Sequence, residues 1–135
     1  MTFSLTITTA AEIAAQEQRA RSDAVTVERD RRLAAGAVVA VTGYGDIPVQ
    51  GRIHDQINLI ALGDTARDLI EASISGAIIP FRDGDNVMHM LTPQQVAELA
   101  RKGKAAASAI YAAAWAIKDS AGIPADFADD ANWPA

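Results

Sequence analysis

Apolar positions along the chain follow two rhythms, one of three and four and one of two, whose alternation predicts helix, hairpin, helix, hairpin, helix. The clearest unit runs from Ile78 to Ile117. Its first part, IIPFRDGDNVMHML, sets two runs of strand-forming residues around Asp83-Gly84-Asp85-Asn86, residue types that tolerate tight-turn dihedrals. Phe81, Arg82, Asp85 and Asn86 are expected to fix this hairpin, with Arg82 stacking on Phe81 or pairing with Asp85 across the turn. Thr92 then opens a helix. Its hydroxyl can accept from the Gln95 amide, the Gln95 side chain can reach back to the Thr92 amide, and Pro93 suits the first helical position. Val96, Leu99, Gly103, Ala106, Ile110, Ala113 and Ile117 carry an apolar seam towards Ala121, where Gly122 and Pro124 stop the helix. The small residues in that seam permit close approach of a partner, and Tyr111 and Trp115 stand on the adjacent face.

Upstream, MTFSLTIT alternates in the manner of a short strand, with Phe3, Leu5 and Ile7 on one side. No hairpin partner adjoins it, so pairing with a neighbouring chain is expected. Thr9 and Glu12 form a capping signal for a helix reaching Ala35, which Gly36 closes. Its seam of Ile13, Ala20, Val27 and Ala34 is thin. Such a helix is barely stable alone and must lie against a larger body or pair with its own copies. Glu17 with Arg21 and Glu28 with Arg32 stand in the favourable order for helical ion pairs.

A first hairpin is expected from Ala37 to Gln50, turning at Gly43-Tyr44-Gly45-Asp46, with Pro48 on an edge because it lacks an amide proton. A helix follows from His54 to Ala72, capped by Asp55 and packed through Leu59, Leu62, Ala66, Leu69 and Ser73. Gly63 inside it suggests close packing. The elements together predict an α+β fold: a long N-terminal helix, two hairpins forming one small antiparallel sheet, and two further helices packed on it. Residues 1–36 would be a strand and helical arm, 37–122 the body, and 123–135 an acidic tail folding back through Phe127 and Trp133.

Charge and composition narrow the function. The 135 residues carry a formal net charge of -5, which disfavours a nucleic-acid-binding protein. Arginines near the end of the first helix are interleaved with acids, as on a solvated face. The absence of cysteine removes disulfides, thiolate metal sites and a catalytic thiol. No apolar run reaches membrane-span length, and the N-terminus lacks the pattern of a secretory signal, so synthesis in a cytoplasm is expected.

Chemistry-bearing motifs are sparse. His54 and His89 have no partner at metal-ligand spacing and read as surface or strand-face histidines. Asp83-Gly84-Asp85-Asn86 lacks the alternating ligands and terminal glutamate of a calcium loop. The pattern of Asp126, Asp129 and Asp130 fits a solubilising tail. Nucleotide-binding and nucleophile-elbow motifs are missing. The expectation is a non-enzyme without metal or cofactor.

The stretches ERDRRLAAG, VQGRIHDQINL, FRDGDNVMHMLT and DFADDANWP, in that order and separated by the alanine-rich helix, resemble an uncharacterised domain family of tailed bacteriophages and prophages. Members of that family occur in tail proteins or beside tail-fibre genes. The resemblance spans roughly Val27 to Pro134 and rests on caps, turns and a late tryptophan. Where the family carries tryptophan before the arginine, this chain has Phe81, and Val38 to Val41 are aliphatic where an aromatic is common. The resemblance implies a virion tail component that contacts other tail proteins, or an assembly chaperone that leaves before maturation. Self-association through the arm is expected, with Ile13, Ala20, Val27, Trp115, Phe127 and Trp133 as interface candidates. A third reading is a receptor- or glycan-binding module with Tyr44, Trp115 or Trp133 as stacking platforms.

Overall fold

The computed structural model describes residues 2–135, and its element order follows the apolar rhythm. Helix α1 spans Ala10–Ala35, strands β1 and β2 span Ala37–Val41 and Gly45–Val49, and helix α2 spans Ile53–Glu71. Strands β3 and β4 span Ile79–Arg82 and Met88–Leu91, and helix α3 spans Pro93–Lys118. A single 3₁₀ turn, Asp130–Asn132, lies in the tail.

Both threonine caps form. The Thr9 hydroxyl accepts from the Glu12 amide at 3.1 Å and the Glu12 carboxylate accepts from the Thr9 amide at 2.9 Å. Thr92 and Gln95 exchange the same two bonds at 3.2 and 3.0 Å, with Pro93 in the first turn. Helix α2 starts differently from the expectation. Arg52 is its N-cap, and Asp55 sits within the first turn, accepting from the Arg52 amide instead of capping. A carboxylate there still meets the exposed amides and the positive end of the helix dipole.

Three findings concern the β structure and the seam of α1. First, residues 2–9 form no strand, since no strand among the described residues pairs with them; Met1 lies outside the described residues. Second, the two hairpins are separate two-stranded sheets, with Val39 opposite Ile47 in one and Phe81 opposite His89 in the other. Helix α3 supplies the reason. The Lys102 ammonium donates to the Ala40 carbonyl at 2.7 Å, and the Glu98 carboxylate accepts from both the amide and hydroxyl of Thr42, at 3.1 and 2.9 Å. Polar groups at that end of β1 are therefore satisfied by side chains and need no further strand.

Third, α1 packs on the body through Val25 and Leu33, while Ile13, Ala20 and Val27 are exposed. At about 100° per residue, Val27 lies about 200° around the helix from Val25, so the seven-residue seam faces away from the body. Of the two expected ion pairs on α1, Glu28–Arg32 forms at 2.8 Å, whereas Arg21 turns to the Ile123 carbonyl at 2.9 Å.

Two apolar clusters result. The larger gathers Val39, Val41, Ile47 and Val49 of the first hairpin, Ile79 and Leu91 of the second, Leu59 and Ala66 of α2, and Val96, Leu99 and Ala100 of α3. Burying several branched aliphatic side chains completely, at about 1.5–3 kcal/mol each, makes this the main favourable term for the body. The smaller cluster joins Val25 of α1, Ala114 of α3, Ile123 and Trp133, with Ile110, Ile117 and Phe127 against it. Helix α1 is thus tied to the far half of α3 and to the tail.

Candidate functional site

Period two puts Ile79, Phe81 and Asp83 on the inner face of the second hairpin, with Leu91 and His89 opposite. Asp83 and His89 are polar residues at inward positions, and both are buried. Burial of that kind requires partners. The Asp83 carboxylate accepts from the amides of Asp85 and Val87 through one oxygen, at 2.8 and 3.0 Å. Its other oxygen meets Nε2 of His89 at 2.6 Å, and Nδ1 of His89 meets the Tyr44 hydroxyl at 2.7 Å. With Asp83 ionised and the ring neutral, Nε2–H donates to the carboxylate and Nδ1 accepts from the phenol. The His89 ring also lies face to face with Phe81, centroids 6.4 Å apart, and edge-on to Tyr44 at 5.5 Å.

This Asp83–His89–Tyr44 relay joins the turn of the first hairpin to the second, replacing the missing sheet bonds between them. Spacing rules for metal ligands and nucleophile motifs pass over it, because its members meet across a turn and between hairpins. The legible signal was the pair of polar residues at inward strand positions. A cavity of about 310 Å³ adjoins the relay on the Asp83 side. It is lined by Phe81, Arg82 and Asn86 together with Arg52, Asp55 and Asn58, and not by His89 or Tyr44.

The expected hairpin residues divide. Phe81 packs against the main cluster. Arg82 donates to the carbonyl and the side-chain oxygen of Asn86, at 3.0 and 3.1 Å, and does not pair with Asp85. Asn86 takes a positive φ of 64°, which asparagine tolerates. Asp85 contributes its amide, and the carboxylate that organises the turn belongs to Asp83.

The bond to His89, followed by those to the Val87 and Asp85 amides, holds the Asp83 carboxyl below the usual carboxylate range against an opposing push from burial. Glu98 is lowered to about 2 by Lys102 and by the Thr42 amide and hydroxyl. Both folded-state values lie below the unfolded ones. The stability each contributes is therefore complete above the unfolded carboxylate range and drains as pH falls through the folded value. Urea titrations from neutrality to pH 2 are expected to show steepening loss below about pH 4. Asp83→Asn and Glu98→Gln should each flatten that loss, and an unchanged slope in both would contradict the assignment.

Two open surfaces stand out among the described residues. The first is the arm: Phe3, Leu5 and Ile7 are 88, 86 and 76 % exposed, and the exposed Ile13, Ala20 and Val27 continue along the outer face of α1. The second is a groove of about 630 Å³ between α2 and α3. Gly63, Ala97 and Ala100 line it with small groups and Ile60 and Ile70 with larger ones. A Cβ on Gly63 would stand 2.8 Å from that of Ala100, so the helices approach closely there. Arg67, Arg101 and Lys104 give the groove a basic rim, with Glu98 the acid among its lining residues.

The aromatic candidates separate as well. Trp115 is 58 % exposed beside Tyr111, over which Arg29 is centred at 5.1 Å. Trp133 is buried beneath Arg32, its indole N–H donating to the Phe127 carbonyl at 2.8 Å, and half-buried Phe127 packs against the same cluster. Both tail aromatics serve an internal contact. No helix among the described residues is long and apolar enough to cross a membrane.

The model of one protein family, described as a domain of unknown function (DUF4376), matches residues 14–132, nearly the whole chain. No curated protein and no solved structure matches.

Proposed function

We propose that this chain, which belongs to the DUF4376 family, is a non-enzymatic structural component of a bacteriophage tail, at its distal end or beside its fibres. It works by contact with other tail proteins and with its own copies, through the N-terminal arm. The observation that carries the contact reading is the exposure of Phe3, Leu5 and Ile7 at the end of a helix whose outer seam is also uncovered. An apolar run of this kind is costly in water and gains most when another chain covers it. The tail assignment draws on the ordered resemblance from ERDRRLAAG to DFADDANWP. The elements carrying that resemblance are structural: the Gly36 and Thr92 caps, the Phe81-Arg82 pair with Asp85-Asn86 in the second hairpin, and Trp133.

Mass spectrometry of purified virions tests the assignment. The chain is expected among the tail proteins of the mature particle. Enrichment in infected-cell lysate with absence from virions would replace the structural role by that of an assembly chaperone. Absence from both would remove the tail reading. A glycan-binding role has less support, since Trp133 is covered by Arg32 and the Tyr44 hydroxyl is engaged by His89.

A further inference from the structure

We infer that the groove between α2 and α3 receives the N-terminal arm of a second copy of this chain, with Ile13 on its floor and Glu17 against Arg101 and Lys104. The inference rests on the arm-contact reading above and names the surface that the arm meets.

Shape and charge both favour this occupant. The small residues lining the groove admit a helix that is itself small-faced, and the arm segment AAEIAAQE offers alanines around a single branched anchor, Ile13. Glu17 stands one turn beyond Ile13 on the same face. Among the described residues Glu17, Arg101 and Lys104 have no ion-pair partner within the chain, whereas neighbouring charges such as Glu98, Lys102, Asp64 and Arg67 are paired. An unpaired acid beside an apolar anchor on one surface thus has a counterpart in two unpaired bases beside an apolar floor on the other.

Geometry excludes the chain's own arm. Helix α1 runs antiparallel to the far half of α3, with Arg21 bonded to Ile123 and the Lys118 ammonium bonded to the Thr26 hydroxyl. At about 1.5 Å per residue, Ile13 lies about 20 Å beyond Thr26 in one direction and Lys104 about 21 Å back from Lys118 in the other. The two surfaces are about 40 Å apart on one rigid scaffold. A contact between them joins two molecules, either by reciprocal exchange in a dimer or head to tail in a ring or filament.

Sedimentation velocity on the full chain tests this, with circular dichroism melting to show that each variant is folded. The wild type is expected to self-associate, and a chain lacking residues 2–17 to be monomeric while still melting cooperatively. Glu17→Arg alone and the pair Arg101→Glu with Lys104→Glu should each raise the Kd about tenfold, and all three together should restore it. Ile13→Ala should weaken association as well. A monomeric wild type overturns the inference. So does association unchanged by the Arg101 and Lys104 substitutions, as when outer seams of α1 pair with each other. Either result leaves the presence of the chain in virions to the particle assay, so failure of the groove contact and failure of the tail role are separately visible.

Discussion

Gly36→Ala is expected to destroy cooperative folding. Gly36 ends α1 and begins the descent into β1 with φ 75° and ψ -163°, a region of backbone space that is essentially glycine's own. A Cβ built there would lie 2.1 Å from the Val49 carbonyl oxygen and 2.8 Å from the Gln50 Cα. Both are backbone atoms. They cannot swing away, because the next residue is pinned: the Gly51 amide donates to the Leu33 carbonyl at 2.7 Å. The end of α1 and the exit from β2 are therefore locked in contact through a position with no room for a methyl group. A loss of about 4 kcal/mol or more is expected, a large part of the stability of a domain this size. Urea denaturation followed by circular dichroism measures it, and a Gly36→Ala midpoint close to that of the wild type would contradict the geometry.

The second large effect concerns the anchor of the arm. Trp133→Ala is expected to cost about 3–4 kcal/mol, in the range for removing a buried large aromatic. Trp133 is 6 % exposed and covers Val25, Ala114 and Ile123, all of which are almost completely buried. Its ring carries the Arg32 guanidinium at 5.0 Å, and Arg32 in turn bonds Glu28, the Ala128 carbonyl and Asp130. Removing the indole opens a hole where α1, α3 and the tail meet. Hydrogen exchange should then show protection lost first in α1 and the tail, while the hairpins and α2, held by the larger cluster, keep theirs. Trp133→Phe should retain a substantial part of the stability. A loss below about 1 kcal/mol for Trp133→Ala would mean that the tail does not hold α1 in place.

Local chemistry and periodicity made most of this fold legible. The capping boxes at Thr9 and Thr92 require only a short stretch of chain, and both form. The seam of α3 is regular enough that Val96, Leu99 and Gly103 are buried as its spacing implies. The packing face of α1 was not legible. Its buried side holds Val25 and Leu33 among serine, threonine and arginine, so the seven-residue seam of Ile13, Ala20 and Val27 is the more regular signal and points outward. Polar residues occupy the buried side because they have specific partners there: Arg21 reaches Ile123 and Thr26 bonds Lys118.

The α+β architecture follows from the order of elements, but the separation of the hairpins depends on contacts distant in sequence. Lys102 and Glu98 satisfy one end of β1, and the Tyr44–His89 bond links the hairpins by side chains alone. The groove was legible in part. Gly63 inside an apolar helix signals close approach, whereas the basic rim needs the crossing of α2 and α3 to assemble it. The apolar residues Phe3, Leu5 and Ile7 stand out in the alternation and are exposed, although the strand that alternation implies does not form.

The most direct test of the proposed tail role is complementation of a phage lacking this chain by a chain without residues 2–17, scored as the yield of complete tails by electron microscopy. The truncation leaves the main cluster and the Val25–Trp133 contact intact, so the purified protein should still fold and melt cooperatively. Tail assembly is expected to fail even though the protein is folded and abundant. A normal yield of complete tails from the truncated chain would contradict a role exercised through the arm.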